Sequence, residues 1–244
     1  MLRTFRSIPV ESLRLLVFDL DGTLIDSRQD LCNSVNATLE NFGMKALPDH
    51  VIASFIGDGA AMLIRRALSV PGEMLPGIDP SDPDFFDEAF SYFLTWYRAH
   101  KLDYTYVYPG VLEALEALKT LPDGSQRPMA VLTNKPVGPA RAICEALGLS
   151  PYFFSVYGGD SFSTKKPDPL GLNTLMAESG ATPETTVMIG DSDVDVKTAR
   201  NAGTWVLGCS FGLAPDSLAT AGPDAVVDHA SAWSIALGQA EIEA

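Results

Sequence analysis

Leu15-Leu16-Val17-Phe18-Asp19-Leu20-Asp21-Gly22-Thr23-Leu24 decides how this chain is read. The apolar run predicts a buried strand, and two carboxylates follow it where that strand ends. Gly22 then lets the backbone turn away. One buried carboxylate without a partner is costly, and two together are far worse. A bound cation with the acids arranged around it relieves that cost. Alternate residues of a strand point to the same side, but a turn at Gly22 lets the two acids diverge. One acid is then free to face a substrate atom and the other a leaving group. A helix N-cap or an Asp-Gly turn after a core strand produces the same letters, so Asp19 to Leu24 alone leave both readings open.

The chain has 244 residues, 46% of them hydrophobic and 20% charged. That suits one large domain, or a core with a smaller insert, of ordinary globular composition. A net charge of -14 disfavours nucleic acid and anionic membrane surfaces as partners. Phosphate remains bindable wherever cations or a metal reverse the sign locally. Cys32, Cys144 and Cys209 are odd in number and widely spaced, which fits neither a disulfide framework nor a metal motif. Residues 1–10 lack the apolar core of a signal peptide, and no run approaches the roughly 18 apolar residues of a membrane span. The expectation is a cytoplasmic protein, monomeric or homodimeric.

After a first strand over 13–19, about eighty residues read as purely helical. Leu31, Val35, Leu39 and Phe42 recur at helical spacing, with Gly43 placed to end the helix. Further helices are predicted over 49–55, 60–69 and 84–100, with Gly57-Asp58-Gly59 between two of them and a Pro/Gly-rich connector over 70–83. Phe86, Phe90, Phe93, Leu94 and Tyr97 form an apolar face that reads as bundle core. Beyond Tyr108-Pro109-Gly110 short β-branched runs alternate with helices. Strands are predicted at 129–133, 154–157, 186–190, 204–207 and 225–227, and helices at 111–121, 137–147, 169–179 and 194–202. This alternation predicts an α/β fold, a Rossmann-like parallel sheet with helices on both faces. The helical stretch is an α-helical cap inserted after the first strand, with the core over 1–26 and 105–244 and the cap over 27–104.

In such a sheet ligands bind beyond the carboxyl ends of the strands, and the polar residues cluster there. Asp19 and Asp21 end the first strand, and Thr133-Asn134 follows Ala130-Val131-Leu132. Gly190-Asp191-Ser192-Asp193-Val194-Asp195 follows Val187-Met188-Ile189, and Lys166 precedes a predicted helix. Singly, each is an ordinary strand-end turn, surface lysine or helix cap.

Together and in this order, these stretches resemble the four motifs of the haloacid dehalogenase superfamily of aspartate-nucleophile phosphatases, over nearly the whole chain. The resemblance implies that Asp19 takes the phosphoryl group as an aspartyl-phosphate. Asp21 would protonate the leaving oxygen and then activate water. Thr133 and the backbone of Asn134 would hold phosphate oxygens, and Lys166 would neutralise phosphate and nucleophile. Mg²⁺ would be bound by Asp19, Asp191 and the carbonyl of Asp21, with Asp195 in the outer shell or as an occasional direct ligand. Elementary chemistry agrees. Mg²⁺ favours a few carboxylates with water and phosphate oxygens, phosphoryl transfer asks for positioning and charge neutralisation, and carboxylates serve as its nucleophiles.

A helical insert after the first motif resembles the first cap subclass. Asp19 to Ser27, Phe55-Ile56-Gly57-Asp58-Gly59-Ala60 and Tyr106 to Val111 resemble the phosphoglycolate phosphatases most. The resemblance implies a small phosphorylated metabolite, 2-phosphoglycolate converted to glycolate, with Gly57, Asp58 and Gly59 as the cap loop over the substrate. Arg65 and Arg66 are candidates for its carboxylate, although solvated helix arginines read the same way. Phosphatases of hexose phosphates, pyrophosphate or nucleotides share this mechanism, and a β-phosphoglucomutase-like phosphomutase shares the core. Dehalogenation has no use for Asp21 or a magnesium site. A phosphate-binding regulator is disfavoured, because every chemical position is intact.

Overall fold

The computed structural model describes residues 1–70, 79 and 82–238. Seven strands form one sheet: β1 (Leu2–Thr4), β2 (Leu15–Phe18), β3 (Met129–Leu132), β4 (Ser155–Tyr157), β5 (Thr186–Gly190), β6 (Trp205–Cys209) and β7 (Ala225–Val227). Their spatial order is β1-β7-β6-β5-β2-β3-β4. The helices are α1 (Arg28–Asn41), α2 (Asp49–Ala53), α3 (Ala60–Leu68), α4 (Pro83–His100), α5 (Val111–Leu118), α6 (Val137–Ala146), α7 (Leu170–Ser179), α8 (Asp193–Ala202), α9 (Pro215–Ala221) and α10 (Trp233–Ala236). None of the described helices is long and apolar enough to cross a membrane. The chain divides into two compact units, residues 1–26 with 107–244, and residues 27–106.

β2 shows why the larger unit is layered. Leu16 and Phe18 pack on one face with Met129, Val131, Val187, Ile189 and Trp233. Leu15 and Val17 pack on the other with Ala130, Met188, Leu172 and Val196. A strand buried on both faces must be apolar at every position, as this one is. Phe18 is paired in parallel register with Val131 on one side and Ile189 on the other. The residues that follow these strands, Asp19, Thr133 and Asp191, therefore leave the sheet at the same edge.

β1 has no counterpart in the sequence reading. It pairs antiparallel with β7 at the edge of the sheet, and all three of its residues are exposed. An edge strand without a buried face carries no hydrophobic alternation to read. α9 was likewise not anticipated; Leu218 is its single buried residue. Thr182-Pro183-Glu184, too close to a strand for more than a turn, falls in a short 3₁₀ turn over Pro183–Thr185.

The 27–106 unit has its own core, where Leu31, Val35 and Leu39 of α1 meet Ile64 of α3 and Phe86, Phe93 and Tyr97 of α4. The aromatic face of α4 stacks along its length, with ring centroids 5.7 Å apart for Phe86 and Phe90, 6.5 Å for Phe90 and Phe93, and 5.8 Å for Phe93 and Tyr97. Asp82 caps this helix by accepting from the Asp84 N–H at 3.0 Å, and Pro83 occupies the first turn. The predicted connector lies mostly outside the described residues. Asp30, 1% exposed, accepts from the Tyr104 and Thr105 N–H groups and, at 2.7 Å, from the Thr105 hydroxyl. This buried carboxylate ties the last residues of the unit to its first helix.

Candidate active site

The site grows from the ends of β2, β3 and β5. Asp19 follows β2 directly, and its Oδ1 accepts from the Leu20 N–H at 2.7 Å. Lys166, buried ahead of α7, places Nζ 2.9 Å from Asp19 Oδ1 and 2.7 Å from Asp195 Oδ1. Asp195 lies in the first turn of α8, where its Oδ2 accepts from the Ser192 hydroxyl at 2.7 Å and the Ser192 N–H at 3.1 Å. Both of its oxygens are thus engaged, and one of them holds the lysine.

Asp191 follows β5 directly and is 3% exposed. Its Oδ2 accepts from the Leu213 N–H at 2.6 Å and the Ala214 N–H at 3.2 Å. The loop after β6 thereby wraps this carboxylate in backbone. A Cβ on Gly212 would lie 2.3 Å from Asp191 Cβ and 2.4 Å from the Gly22 carbonyl oxygen. Gly22, at φ +84°, meets the same carboxylate from the other side, and a Cβ there would fall 2.1 Å from Asp191 Oδ2. The glycine that turns the chain after Asp21 is also the one that lets Asp191 approach.

Thr133 and Asn134 leave β3 buried beside this group. The Thr133 hydroxyl accepts from the Lys135 N–H at 3.2 Å, and the Asn134 side-chain amide donates to the Lys166 carbonyl at 3.1 Å. Asp21 stands beyond Asp19, with Lys135 Nζ 2.9 Å from each of its carboxylate oxygens. Sequence reading missed Lys135, and it missed the loop 212–214. The lysine stands directly after Thr133-Asn134, so position alone was a usable signal. The loop carries no chemical side chain, so nothing in its letters pointed to Asp191.

Gly57, Asp58 and Gly59 lie in the other unit, between α2 and α3, with φ +123° at Gly57 and +89° at Gly59. Arg66 pairs with Asp58 and donates to the Phe55 carbonyl at 3.1 Å, bracing that loop. The Arg65 guanidinium lies 4.1 Å from the centre of the Phe86 ring. Neither arginine is a merely solvated side chain.

Carboxylate oxygens of Asp19, Asp191 and Asp195 all lie within 4.8 Å of one another. Counted as ionised, Asp19, Asp21, Asp191 and Asp195 outnumber Lys135 and Lys166 by two negative charges. Burial pushes the Asp19 carboxyl up to about 6; Lys166 opposes this and the Asp195 charge adds to it. Burial, then the charges of Asp195 and Asp19, push Asp191 well above the usual carboxylate range. Burial alone would lower Lys166, but Asp19 and Asp195 outweigh it and hold the ammonium above its ordinary range. An all-oxygen donor set that lacks two positive charges fits a hard divalent cation.

A mostly parallel α/β sheet thus gathers buried carboxylates and lysines at the carboxyl edge of its strands, the architecture of a hydrolase family. The family described as haloacid dehalogenase-like hydrolase matches residues 16–209, and this chain belongs to it. A Chromobacterium violaceum protein named phosphoglycolate phosphatase is 36% identical over 219 residues, which cover 90% of this chain and 94% of that one. A Rhodospirillum rubrum protein of the same name is 37% identical over 88% of this chain and 87% of its own. A Haemophilus somnus crystal structure titled as a predicted phosphoglycolate phosphatase superposes with a TM-score of 0.81 at 30% identity, covering 91% of this chain and 96% of that one.

Proposed function

We propose that this protein hydrolyses 2-phosphoglycolate to glycolate and phosphate by way of an aspartyl-phosphate on Asp19. The observation that carries the reading is the Lys166 ammonium 2.9 Å from Asp19 Oδ1. Two anions, a carboxylate and a phosphate, meet only where a cation stands between them. In the first step an Asp19 oxygen bonds to phosphorus, the ester P–O bond breaks, and Asp21 gives its proton to the departing oxygen. In the second step water attacks phosphorus, Asp21 takes a proton back, and the bond to Asp19 breaks. Thr133 and the Asn134 backbone hold phosphate oxygens throughout. Asp195 keeps Lys166 aimed at Asp19.

Asp19, Asp191 and the Asp21 carbonyl would hold Mg²⁺, which supplies charge neutralisation for the phosphoryl group. Asp195 stands outside that shell, since Lys166 and Ser192 already occupy its oxygens. Gly57, Asp58 and Gly59 are proposed to take part in substrate selection, with the cap over 27–104 and the core over 1–26 and 105–244. The three cysteines are buried and none forms a disulfide, which supports work in the reducing cytoplasm. The net charge of -14 supports a small metabolite rather than nucleic acid or a membrane surface as partner. We take the protein to act as a monomer or homodimer, which sedimentation tests.

The relatives named above supply the glycolate; the site itself asks for a phosphate monoester. The test is kcat/KM across 2-phosphoglycolate, hexose phosphates, pyrophosphate and nucleotides with Mg²⁺. Phosphoglycolate is expected to lead. Another class ahead by about tenfold, ~1.4 kcal/mol of transition-state discrimination, would transfer the assignment to that class.

A further inference from the structure

We propose that Lys135 is a positioning residue for Asp21, holding that carboxylate toward the leaving group while Lys166 serves Asp19. The inference rests on the phosphatase reading above. Lys135 Nζ lies 2.9 Å from Asp21 Oδ1 and 2.9 Å from Oδ2, so the ammonium straddles both oxygens. The side chains are 4% and 15% exposed, which places the pair out of bulk water on the lysine side. The lysine backbone is itself held: its N–H donates to the Thr133 hydroxyl, and its carbonyl accepts from the Gly159 N–H at 2.9 Å.

The two lysines divide the carboxylates between them. Lys166 touches Asp19 and Asp195, and Lys135 touches Asp21. Asp21 stands past the end of β2, in the turn where Leu24 and Ile25 donate their N–H groups to the Leu20 carbonyl. A proton-transfer group must come within about 2.6–3.2 Å of the atom it serves, and displacements near 1 Å cost rate steeply. A cation bound to both oxygens restrains the torsions that set this distance.

A residue acting only through Asp21 leaves a signature that a general structural role does not. The experiment measures kcat and KM for Lys135→Met, Lys135→Arg, Asp21→Asn and the Asp21→Asn/Lys135→Met double variant. Each is assayed on an alkyl phosphate and on p-nitrophenyl phosphate, whose leaving group needs little protonation. Lys135→Met is expected to lower kcat on the alkyl ester about tenfold more than on the aryl ester, within the 10²- to 10⁴-fold range of general acid–base effects. KM should move little, Lys135→Arg should restore part of the loss, and Lys135→Met should cost nothing further once Asp21 is Asn. Lys135→Gln carries the same comparison if the Met variant does not fold. An additive cycle, or a loss carried by KM and equal on both esters, overturns the inference. Selective loss in Asp21→Asn without selective loss in the Lys135 variants also overturns it. Equal losses on both esters in Asp21→Asn itself would instead sink the acid role of Asp21.

Discussion

The Leu213 N–H donates to Asp191 Oδ2 at 2.6 Å, joining residues 22 apart in the chain, and Gly212 beside it leaves no room for a side chain. One oxygen of a buried carboxylate is thereby fixed by backbone while its neighbours crowd it with negative charge. Partners that orient a metal ligand typically alter metal affinity 10- to 100-fold when they are disturbed.

Gly212→Ala should therefore raise the Mg²⁺ concentration for half-maximal activity by about tenfold or more, with turnover at saturating metal largely recovered. A metal titration of both proteins measures this. An unchanged Mg²⁺ requirement would show that the loop does not set Asp191.

Asp19→Asn should lower turnover by several orders of magnitude and leave the fold intact. Asn is nearly isosteric and carries no charge into this buried position, so melting in the presence of chelator should not fall. Near wild-type turnover by folded Asp19→Asn protein would refute the nucleophile assignment.

Metal binding should release protons. Asp19 titrates near 6 in the folded protein against 3.8 when unperturbed, and Asp191 is raised as well. A folded pKa above the unfolded one means that Asp19 favours the folded state most below pH 3.8. That contribution is lost as the pH rises through about 6. A bound cation offsets the loss, so the rise in melting temperature on adding Mg²⁺ should be larger at pH 7.5 than at pH 5. A rise equal at both, or larger at pH 5, would contradict it.

Asp191→Ala should increase the metal requirement steeply, and Asp195→Ala less so, because Asp195 spends its oxygens on Lys166 and Ser192. Asp195→Ala should instead reduce turnover at saturating Mg²⁺ by releasing Lys166. If both variants shifted the metal titration equally, Asp195 would have to be counted as a direct ligand.

Asp30→Ala should destabilise the protein by about 2–4 kcal/mol, since a buried donor left without its acceptor costs about 1–3 kcal/mol. The Tyr104 and Thr105 N–H groups and the Thr105 hydroxyl would all lose their acceptor. Denaturant unfolding measures it, and a change under about 0.5 kcal/mol, the scale of ordinary surface substitutions, would refute the tie.

The sequence by itself determined the layered sheet and the edge at which chemistry collects. Leu15–Phe18 had to be buried on both faces because every position is apolar, and Asp19, Thr133 and Asp191 had to emerge together because their strands are parallel neighbours. Only the tertiary structure decided which charge meets which. Lys135 is 114 residues from Asp21 and Lys166 is 29 from Asp195, and no local pattern links such partners. The backbone of 212–214 reaches Asp191 through amides that every residue but proline possesses. β1 stayed hidden for the converse reason: a strand exposed at the edge of a sheet has no buried face to write into its sequence.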